Sequence, residues 1–422
     1  MADASSTAEM LAADGTPLRK SLARAERALR IRAFLLVLPL LAFILFSFIL
    51  PIGDMLLRSV ENQIVSDTLP RTVVALDGWE AEGDAPPPEP VFEAFYADMQ
   101  DAVAAKIHTR LGSRLNYEQS GMSSLFRKTN SRRLGRIDPA EPLGPQFAKI
   151  DEDWGTAAPW KVIQTFSPNY TPGYFLAAVD KQLTPDGIES VSDFEAIYIK
   201  LFWRTMVLSV TITFTTLLLG YPIAWLLANL PMRSANLIMI LVLLPFWTSL
   251  LVRTSSWKVL LQEQGVINDF LVWTGIISDA GRLVMINNQT GTIIAMTHIL
   301  LPFMILPLYS VMKTIPPSYL RAAKSMGATD WTAFWRVYFP QSVPGIGAGA
   351  ILVFILAIGY YITPELVGGT SGTFISNRIA YHISSSLNWG LAAALGSILL
   401  ALVLVLYYIY DRIVGIDNVK LG

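Results

Sequence analysis

Two clusters of polar and aromatic residues border long apolar runs and could contact a small solute. Their members are Trp247, Thr248, Arg253 and Trp257 in the first cluster and Tyr360, Tyr361 and Glu365 in the second. A tyrosine ring can contribute about 0.5 to 2 kcal/mol to the binding of an ammonium group, and a carboxylate adds an attractive charge. These residue types predict a path for a cationic solute. The alternatives are an aromatic belt with an interfacial arginine, packing of the tyrosines, and a helix that ends next to water.

A loop at residues 316–346 has the pattern of two short helices joined at a glycine. Ser318 is predicted to cap the first helix, Gly327 to close the turn and Thr329 to cap the second helix, which Pro340 ends. Apolar residues at helical spacing are Tyr319, Ala322, Ala323 and Met326 on the first helix and Trp331, Phe334, Trp335 and Tyr338 on the second. The small alanines predict a helix-turn-helix that can approach another surface closely.

No residues have the spacing of a catalytic triad, a metal site or a cofactor site, so we assign none. The chain has no cysteine, which excludes disulfides and thiolate metal ligands. The phosphate-binding pattern G-x-x-x-x-G-K-[ST] does not occur, and we therefore do not expect this chain to hydrolyse ATP by itself. His298 lies in an apolar run without a carboxylate, which favours a structural role over a proton relay. We expect no nucleic-acid partner.

The elements that must position these residues are apolar. A hydrophobic content of 53%, a charged content of 15% and a mean hydropathy of +0.45 exclude an ordinary soluble globular protein. Six runs are long enough to cross a hydrocarbon core of about 30 Å. They are residues 33–57, 205–231, 234–252, 291–312, 345–364 and 390–410. The predicted fold is an all-α polytopic membrane protein with six transmembrane helices.

The placement of basic residues predicts which loops face the cytoplasm. The relevant residues are Arg233, Lys313, Arg321, Lys324 and Arg336. They place the 316–346 loop inside, and six spans then put both termini, residues 1–32 and 415–422, in the cytoplasm. Residues 17–32 are predicted as an amphipathic helix on the membrane surface, with a disordered basic tail as the alternative.

This topology sends residues 58–200, called the insert below, to the outside between the first two spans. Residues 81–90 read AEGDAPPPEP and should be extended. Residues 92–111 are predicted as one amphipathic helix with its apolar face formed by Phe92, Phe95, Met99, Val103 and Ile107. We interpret the insert as a small, partly helical domain for docking or shielding, and ligand sensing stays open.

The 316–346 loop resembles the EAA motif of ABC importer permeases. The matching residues are Ala322, Ala323, Gly327, Val337, Phe339 and Pro340. In that family the loop is a coupling helix that sits in a cleft of the ATPase subunit, so the resemblance implies that these residues couple the chain to an ATPase. Arg321 departs from the pattern because it stands where the family usually has glutamate.

The wider resemblance covers residues 201–414 and is to permeases of the spermidine/putrescine type, at 219–231, 243–257 and 362–369. It implies a five-helix permease core in the bacterial inner membrane that imports a small cationic, polyamine-like solute from the periplasm. The implied partners are an ATPase dimer that uses ATP and Mg, a second permease subunit and a periplasmic solute-binding protein. The second permease is a paralogue or a copy.

Other readings of the substrate and mechanism stay open. Related polyamine permeases often carry an acidic residue where Tyr360 stands, so opines, amino-acid derivatives or other small organic amines are alternative substrates. An ion-coupled secondary transporter would require ionisable residues near the bilayer midplane and paired broken helices. The sequence shows neither feature.

Overall fold

The computed structural model describes residues 18–414, and the chain divides after Leu57 into two compact units. The described residues of the first unit form one long helix, which ends one residue into the second unit. It comprises α1 (Leu18–Ile44), a π-helical segment (Leu45–Ile49) and α2 (Leu50–Arg58). The segment Glu26–Arg58 is long and apolar enough to cross a membrane, and no residue of its most apolar stretch is buried. The helix runs without a break from Leu18 into the first predicted span, and Pro17 of the predicted surface helix lies outside the described residues.

The insert begins the second unit and folds around its own core. Its helices are α3 (Ile64–Thr68), α4 (Pro70–Ala75), α5 (Glu89–Ala104), α6 (His108–Leu115), α7 (Met122–Lys128), α8 (Ser131–Leu134), α9 (Leu143–Ile150), α10 (Ala158–Thr165) and α11 (Gly173–Ala178), with a 3-10 turn at Glu152–Gly155. An antiparallel hairpin follows, formed by β1 (Lys181–Thr184) and β2 (Gly187–Ser190). This hairpin is an exception to the predicted all-helical fold.

Aromatic packing holds the insert together. The fully buried rings include Phe92, Phe95, Phe126, Phe147, Trp154 and Trp160. The Phe95 ring centroid lies 4.6 Å from that of Trp154 and 5.0 Å from that of Trp160, which is the range of favourable ring contacts. Two distant parts of the insert also meet, because Asn62 N–H donates to the Asn169 carbonyl over 2.8 Å. The insert is therefore a closed domain with its own hydrophobic core.

The amphipathic helix predicted for residues 92–111 is too long. Helix α5 ends at Ala104, and α6 starts a new direction at His108. Between them Lys106 has a left-handed φ of 60°, a conformation that no helix interior accommodates. The apolar face stays buried at Phe92, Phe95 and Met99, whereas Ile107 lies outside the helix and is exposed.

The remaining chain is helical and mostly apolar. Its elements are α12 (Tyr198–Asn229), α13 (Met232–Leu243), a 3-10 turn (Leu244–Trp247), α14 (Leu250–Leu260), α15 (Val266–Trp273), a 3-10 turn (Asp279–Gly281), α16 (Gln289–Thr314), α17 (Pro317–Ser325), α18 (Asp330–Ala333), a π-helical segment (Phe334–Tyr338), α19 (Phe339–Gly359), α20 (Ile362–Val367), α21 (Gly369–Gly372), α22 (Ile375–Ser384) and α23 (Trp389–Val414). Within residues 18–414, five helices are long and apolar enough to cross a membrane, or six if one bent pair counts as a span.

Helices α12, α16 and α19 form the centre of this region. Their buried residues include Ile212, Met304 and Val353, which belong to one hydrophobic cluster. The backbones approach closely at Gly349, where an added Cβ would lie 2.7 Å from the Met304 sulfur. Small residues at helix contacts are typical of membrane helix packing, where dispersion contacts replace the hydrophobic effect.

Two predicted spans are wrong as single helices. The run 234–252 bends by 97° between the 3-10 turn that ends at Trp247 and α14. Pro245 lacks a backbone donor, and Ser249 caps the new helix by accepting from Val252 N–H over 3.2 Å. The run 345–364 also ends early, because α19 stops at Gly359 and Tyr360 is extended. The sequence analysis therefore did not predict these two helix breaks.

The insert packs directly on the start of α23. A Cβ atom at Gly390 would overlap the ring of Tyr174, which belongs to α11. The Tyr117 hydroxyl also donates to the Ser386 carbonyl over 2.6 Å. Next to this contact, His382 is buried between Tyr198, at 2.9 Å, and Ser386, at 2.8 Å.

The Tyr174 contact predicts that Gly390→Ala destabilises the protein. Because overpacking typically costs about 1 to 3 kcal/mol, we expect a melting temperature lower by several degrees in detergent. Gly359→Ala is the matched control, since no atom lies within 4 Å of its added Cβ. Equal melting temperatures for the two variants would contradict the contact.

His382 predicts a pH dependence of stability. Burial, and then the charge of Arg378, lowers the pKa of His382 from its ordinary 6.5 to about 4. Between these values the unfolded chain binds a proton that the folded chain excludes, so stability is full above pH 6.5 and falls as the pH drops towards 4. We expect the melting temperature to fall less over this interval in His382→Gln than in the parent. Parallel pH profiles would refute a role of His382.

Candidate functional site

Two interrupted helices meet at one place, called the broken-helix site below (residues 248–257 and 360–365). The bend after Trp247 turns α14 towards α20, and the two helices pack together. The hydroxyls of Thr254 and Thr363, both fully buried, lie 3.0 Å apart. This contact joins the two clusters in which the sequence predicted a solute path.

Side chains of α22 satisfy the backbone at the second break. Ser376 Oγ donates to the Tyr360 carbonyl over 2.7 Å, and Asn377 Nδ2 donates to the Tyr361 carbonyl over 2.9 Å. The same Asn377 amide donates to Glu365 Oε2 over 2.6 Å. The Glu365 carboxylate is therefore held in place by an amide and not by a cation.

Some residues of the first cluster contact other helices, and others do not. Trp257 Nε1 donates to His298 Nδ1 over 3.0 Å, which ties α14 to α16 and gives His298 a structural partner. Arg253 lies one turn earlier, close enough to interact electrostatically with His298 and Tyr360. Trp247 is largely exposed, and the Thr248 hydroxyl donates to the nearby Pro245 carbonyl, so these two residues are not brought into the contact.

The 316–346 loop forms the second candidate site. Gly327 has a φ of 90°, as its predicted turn requires, and Thr329 Oγ1 accepts from Thr332 N–H over 3.3 Å as the predicted cap. An ion pair between Lys324 and Asp330 closes the turn between the helices. Ala323 is buried in this turn, and its carbonyl accepts from Ala328 N–H over 3.1 Å.

Two details of the loop differ from the prediction. The first helix begins at Pro317, directly after Pro316, and Ser318 is therefore not its cap. Proline suits the first position of a helix, where no backbone donor is needed. Pro340 does not end the second helix. The Phe339 N–H donates to the carbonyl of Phe334, five residues earlier, and this π turn passes directly into α19. The candidate span Asp330–Gly359 is consequently continuous with the loop.

Large apolar side chains on this loop face outward. The exposed fraction is 83% for Met326, 73% for Trp331 and 51% for Tyr319, so the predicted apolar face of α17 is not buried as one surface. Arg321 and Ala322 are exposed beside them, while Val337 and Phe339 are half-buried, with the Phe339 ring 4.8 Å from that of Trp335. Exposed apolar patches of this kind mark interaction surfaces.

A third candidate site, a cavity, was not predicted from the sequence. A cavity of about 780 Å³ lies between the insert and the segment before α23. On its wall Arg114 Nε donates to the Tyr174 hydroxyl over 2.7 Å, and Arg114 Nη1 pairs with Glu118 over 2.6 Å. Burial opposes the charge of Arg114, but Tyr174 and Glu118 outweigh it and raise the pKa of Arg114. No local motif signals this site, because its residues are far apart in the sequence.

Residues 198–415 match the family described as the binding-protein-dependent transport system inner membrane component. The chain is 35% identical over 235 residues to the spermidine/putrescine transport system permease protein PotB of Haemophilus influenzae, covering 55% of this chain and 82% of that protein. It is 33% identical over 224 residues to PotB of Escherichia coli, covering 52% and 81%. It is 32% identical over 235 residues to the inner membrane ABC transporter permease protein YdcU of Escherichia coli, covering 53% and 74%.

Similar solved structures are two of a bacterial alginate ABC transporter. One, described as involved in the import of the acidic polysaccharide alginate, has 21% identity and a TM-score of 0.40 and covers 52% of this chain and 80% of that one. The other, in complex with an alginate pentasaccharide-bound periplasmic protein, has 19% identity and a TM-score of 0.42 and covers 54% and 84%.

The threonine pair predicts non-additive effects of mutation at the broken-helix site. Thr254→Val or Thr363→Val alone leaves a buried hydroxyl without its partner, which typically costs about 1 to 3 kcal/mol. The double variant removes both hydroxyls, so its melting temperature should fall by less than the sum of the single effects. Thr274→Val, at an exposed hydroxyl, is the control. Additive single effects would contradict the contact.

Proposed function

Because this chain belongs to the family of inner membrane components of binding-protein-dependent transport systems, we propose that it is the permease subunit of an ATP-driven importer for a small cationic, polyamine-like solute. The protein is a multi-pass inner-membrane protein, and its relatives named PotB are spermidine/putrescine permeases. In the proposal, the solute enters from the periplasm and leaves into the cytoplasm. Both termini face the cytoplasm in this proposal. Its six spans count the two helical segments on either side of the bend after Trp247 as a single span.

The observation that carries the proposal is the continuity between the exposed loop and a spanning helix. Helix α18, the π turn and α19 form one apolar segment, Asp330–Gly359, and the turn at Gly327 presents Met326 and Trp331 at its end. A surface that binds a partner through these side chains would transmit the partner's movement to α19. We assign this coupling to Arg321, Ala322, Ala323, Gly327, Val337, Phe339 and Pro340.

The partner of the loop is a dimer of ATPase subunits that bind ATP and Mg, since the chain itself has no phosphate-binding pattern. A second permease subunit, most simply a paralogue, completes the membrane path. A periplasmic solute-binding protein delivers the substrate. We propose that the insert provides a docking surface on the periplasmic side, because it is a closed domain that packs on the start of α23.

The proposed solute path includes the broken-helix site, with Arg253, Trp257, Tyr360, Tyr361 and Glu365. Interrupted helices often carry the polar groups of a binding site in membrane proteins, which makes this place suited to binding. A second candidate is an importer of opines or amino-acid derivatives by the same mechanism. It is favoured by Arg253, whose Nε and Nη1 atoms are buried and have no hydrogen-bond partner within residues 18–414. Trp247 and Thr248, which lie away from the contact, stay in the proposal only as flanking residues.

The coupling role is tested by Gly327→Val in the co-expressed assembly of this chain with its ATPase, second permease and binding protein. Valine cannot adopt the φ of 90° without strain, so the turn should shift and transport-coupled ATP hydrolysis should fall at least tenfold. Gly275→Val is the matched control, because Gly275 also has a positive φ, of 74°, and open space around it.

The parent assembly provides the broader test. ATPase subunits that co-purify with the parent chain, and that Ala323→Asp releases, support the importer. If no ATPase associates and solute uptake continues without ATP, the chain is an ion-coupled secondary transporter and the proposal is wrong.

A further inference from the structure

The proposed importer mechanism does not use the cavity between the insert and the segment before α23. Its volume of about 780 Å³ is typical of cavities that bind small molecules. Its lining includes Trp389 and Gly390, the first two residues of the candidate span Trp389–Arg412. Tryptophan is enriched at the ends of spans, at the depth of the lipid headgroups. The cavity is therefore at the boundary between the bilayer and water.

One face of α6 contributes positive charge to the cavity. Arg110 and Arg114 are four residues apart, lie on the same side of the helix and both line the cavity. Arg110 is exposed. Arg114 is buried, and its Nε and Nη1 atoms donate to Tyr174 and Glu118. Its Nη2 atom has no hydrogen-bond partner within residues 18–414, which is costly for a buried donor. This face of α6 would therefore attract an anionic group.

Negative charge comes from the chain at α3, which packs on α6. Glu61, just before α3, and Asp67, within it, are exposed carboxylates of the cavity lining. Asn62 also lines the cavity, and its buried Oδ1 atom accepts no hydrogen bond from the described residues. The remaining charged residue of the lining is Arg58. A ligand with charge of one sign would be repelled by one set of these groups, whereas a dipolar ligand is attracted by both.

The segment before α23 adds apolar side chains to this polar lining. Leu387 lines the cavity, is 63% exposed and has a left-handed φ of 57°. Bulky residues rarely adopt this conformation, and such strained residues are concentrated at functional sites. Ile107 and Trp389 are further exposed apolar residues of the lining. A lipid, whose charged headgroup continues into apolar chains, matches this mixture better than a soluble dipolar compound does.

We propose that the cavity binds the headgroup of a phospholipid that carries both a phosphate and an ammonium group, as phosphatidylethanolamine does. The phosphate faces Arg110 and Arg114, because a guanidinium can donate parallel hydrogen bonds to phosphate oxygens. The ammonium group faces Glu61 and Asp67. This lipid site belongs to the insert and the start of α23, and it does not depend on the identity of the transported solute.

The experiment measures lipid binding to the purified assembly that contains the full chain, by native mass spectrometry. Phosphatidylethanolamine and phosphatidylglycerol with identical acyl chains are compared, because both carry the phosphate and only the first carries an ammonium group. We expect one site at which phosphatidylethanolamine binds about tenfold more tightly. Arg110→Gln and Asp67→Asn should each weaken its binding about tenfold, since each removes one charged hydrogen-bonding group from the cavity.

Arg136→Gln and Glu152→Gln are the matched controls. Each removes a charge of the same sign from an exposed position of the insert outside the cavity, and the affinity for phosphatidylethanolamine should not change. Arg110 and Asp67 are themselves exposed, so we expect both cavity variants to fold. Melting temperatures equal to that of the parent, measured without added lipid, confirm this.

Three outcomes would overturn the inference. The first is equal affinity of the parent for the two lipids, and the second is an affinity for phosphatidylethanolamine that neither cavity variant changes. The third is binding of free glycerophosphoethanolamine as tightly as the lipid, because the ligand is then a soluble compound with the same headgroup. Failure of ATP-dependent uptake contradicts the proposed function alone, since lipid binding is measured without transport.

Discussion

A hydrocarbon environment offers no partners to a free backbone N–H or carbonyl, so a membrane helix that breaks needs polar groups supplied by the protein itself. Both breaks occur beside small polar side chains. Ser249 caps α14 at the first break, while Ser376 and Asn377 bind the carbonyls of Tyr360 and Tyr361 at the second. The buried threonine pair then holds the two broken ends together. Consequently, Arg253 and Glu365 are carried on short helices that their polar neighbours fix in place.

The same constraint explains how the exposed loop joins the core. Pro340 removes a backbone donor, and a helix that ended there would leave carbonyls of the preceding turn without partners. The π turn instead lets Phe339 N–H reach the Phe334 carbonyl, so the chain enters α19 without an interruption. The rings of Tyr221 and Trp335 both pack on Phe339. This continuous, packed helix is the path along which the proposed coupling would carry a displacement at Gly327.

The local parts of this architecture could be predicted from the sequence, and the contacts between distant parts could not. The lengths of the apolar runs were enough to locate α12, α16 and α23. Whether a segment can cross a bilayer depends on the length and composition of that segment alone. The turn at Gly327 and the cap at Thr329 were predicted for the same reason, since both depend on a few neighbouring residues.

Hydropathy could not show the bend after Trp247 or the end of α19 at Gly359, because both segments stay apolar across the break. Their partners, among them Ser376 and Thr363, are separated from them by intervening turns or by more than a hundred residues. The Arg114–Tyr174 contact in the insert was missed for the same reason.

The insert limits how the last helix can move. Its distant parts meet at Asn62 and Asn169, and its aromatic core is buried. The Tyr174 ring fills the space above Gly390, and Tyr117 binds the Ser386 carbonyl just before α23. Rotation of α23 about its axis would drive a side chain of that helix into the ring, because only glycine leaves room there. In the proposed arrangement, a protein docked on the insert would therefore act on the start of α23 through these packing contacts.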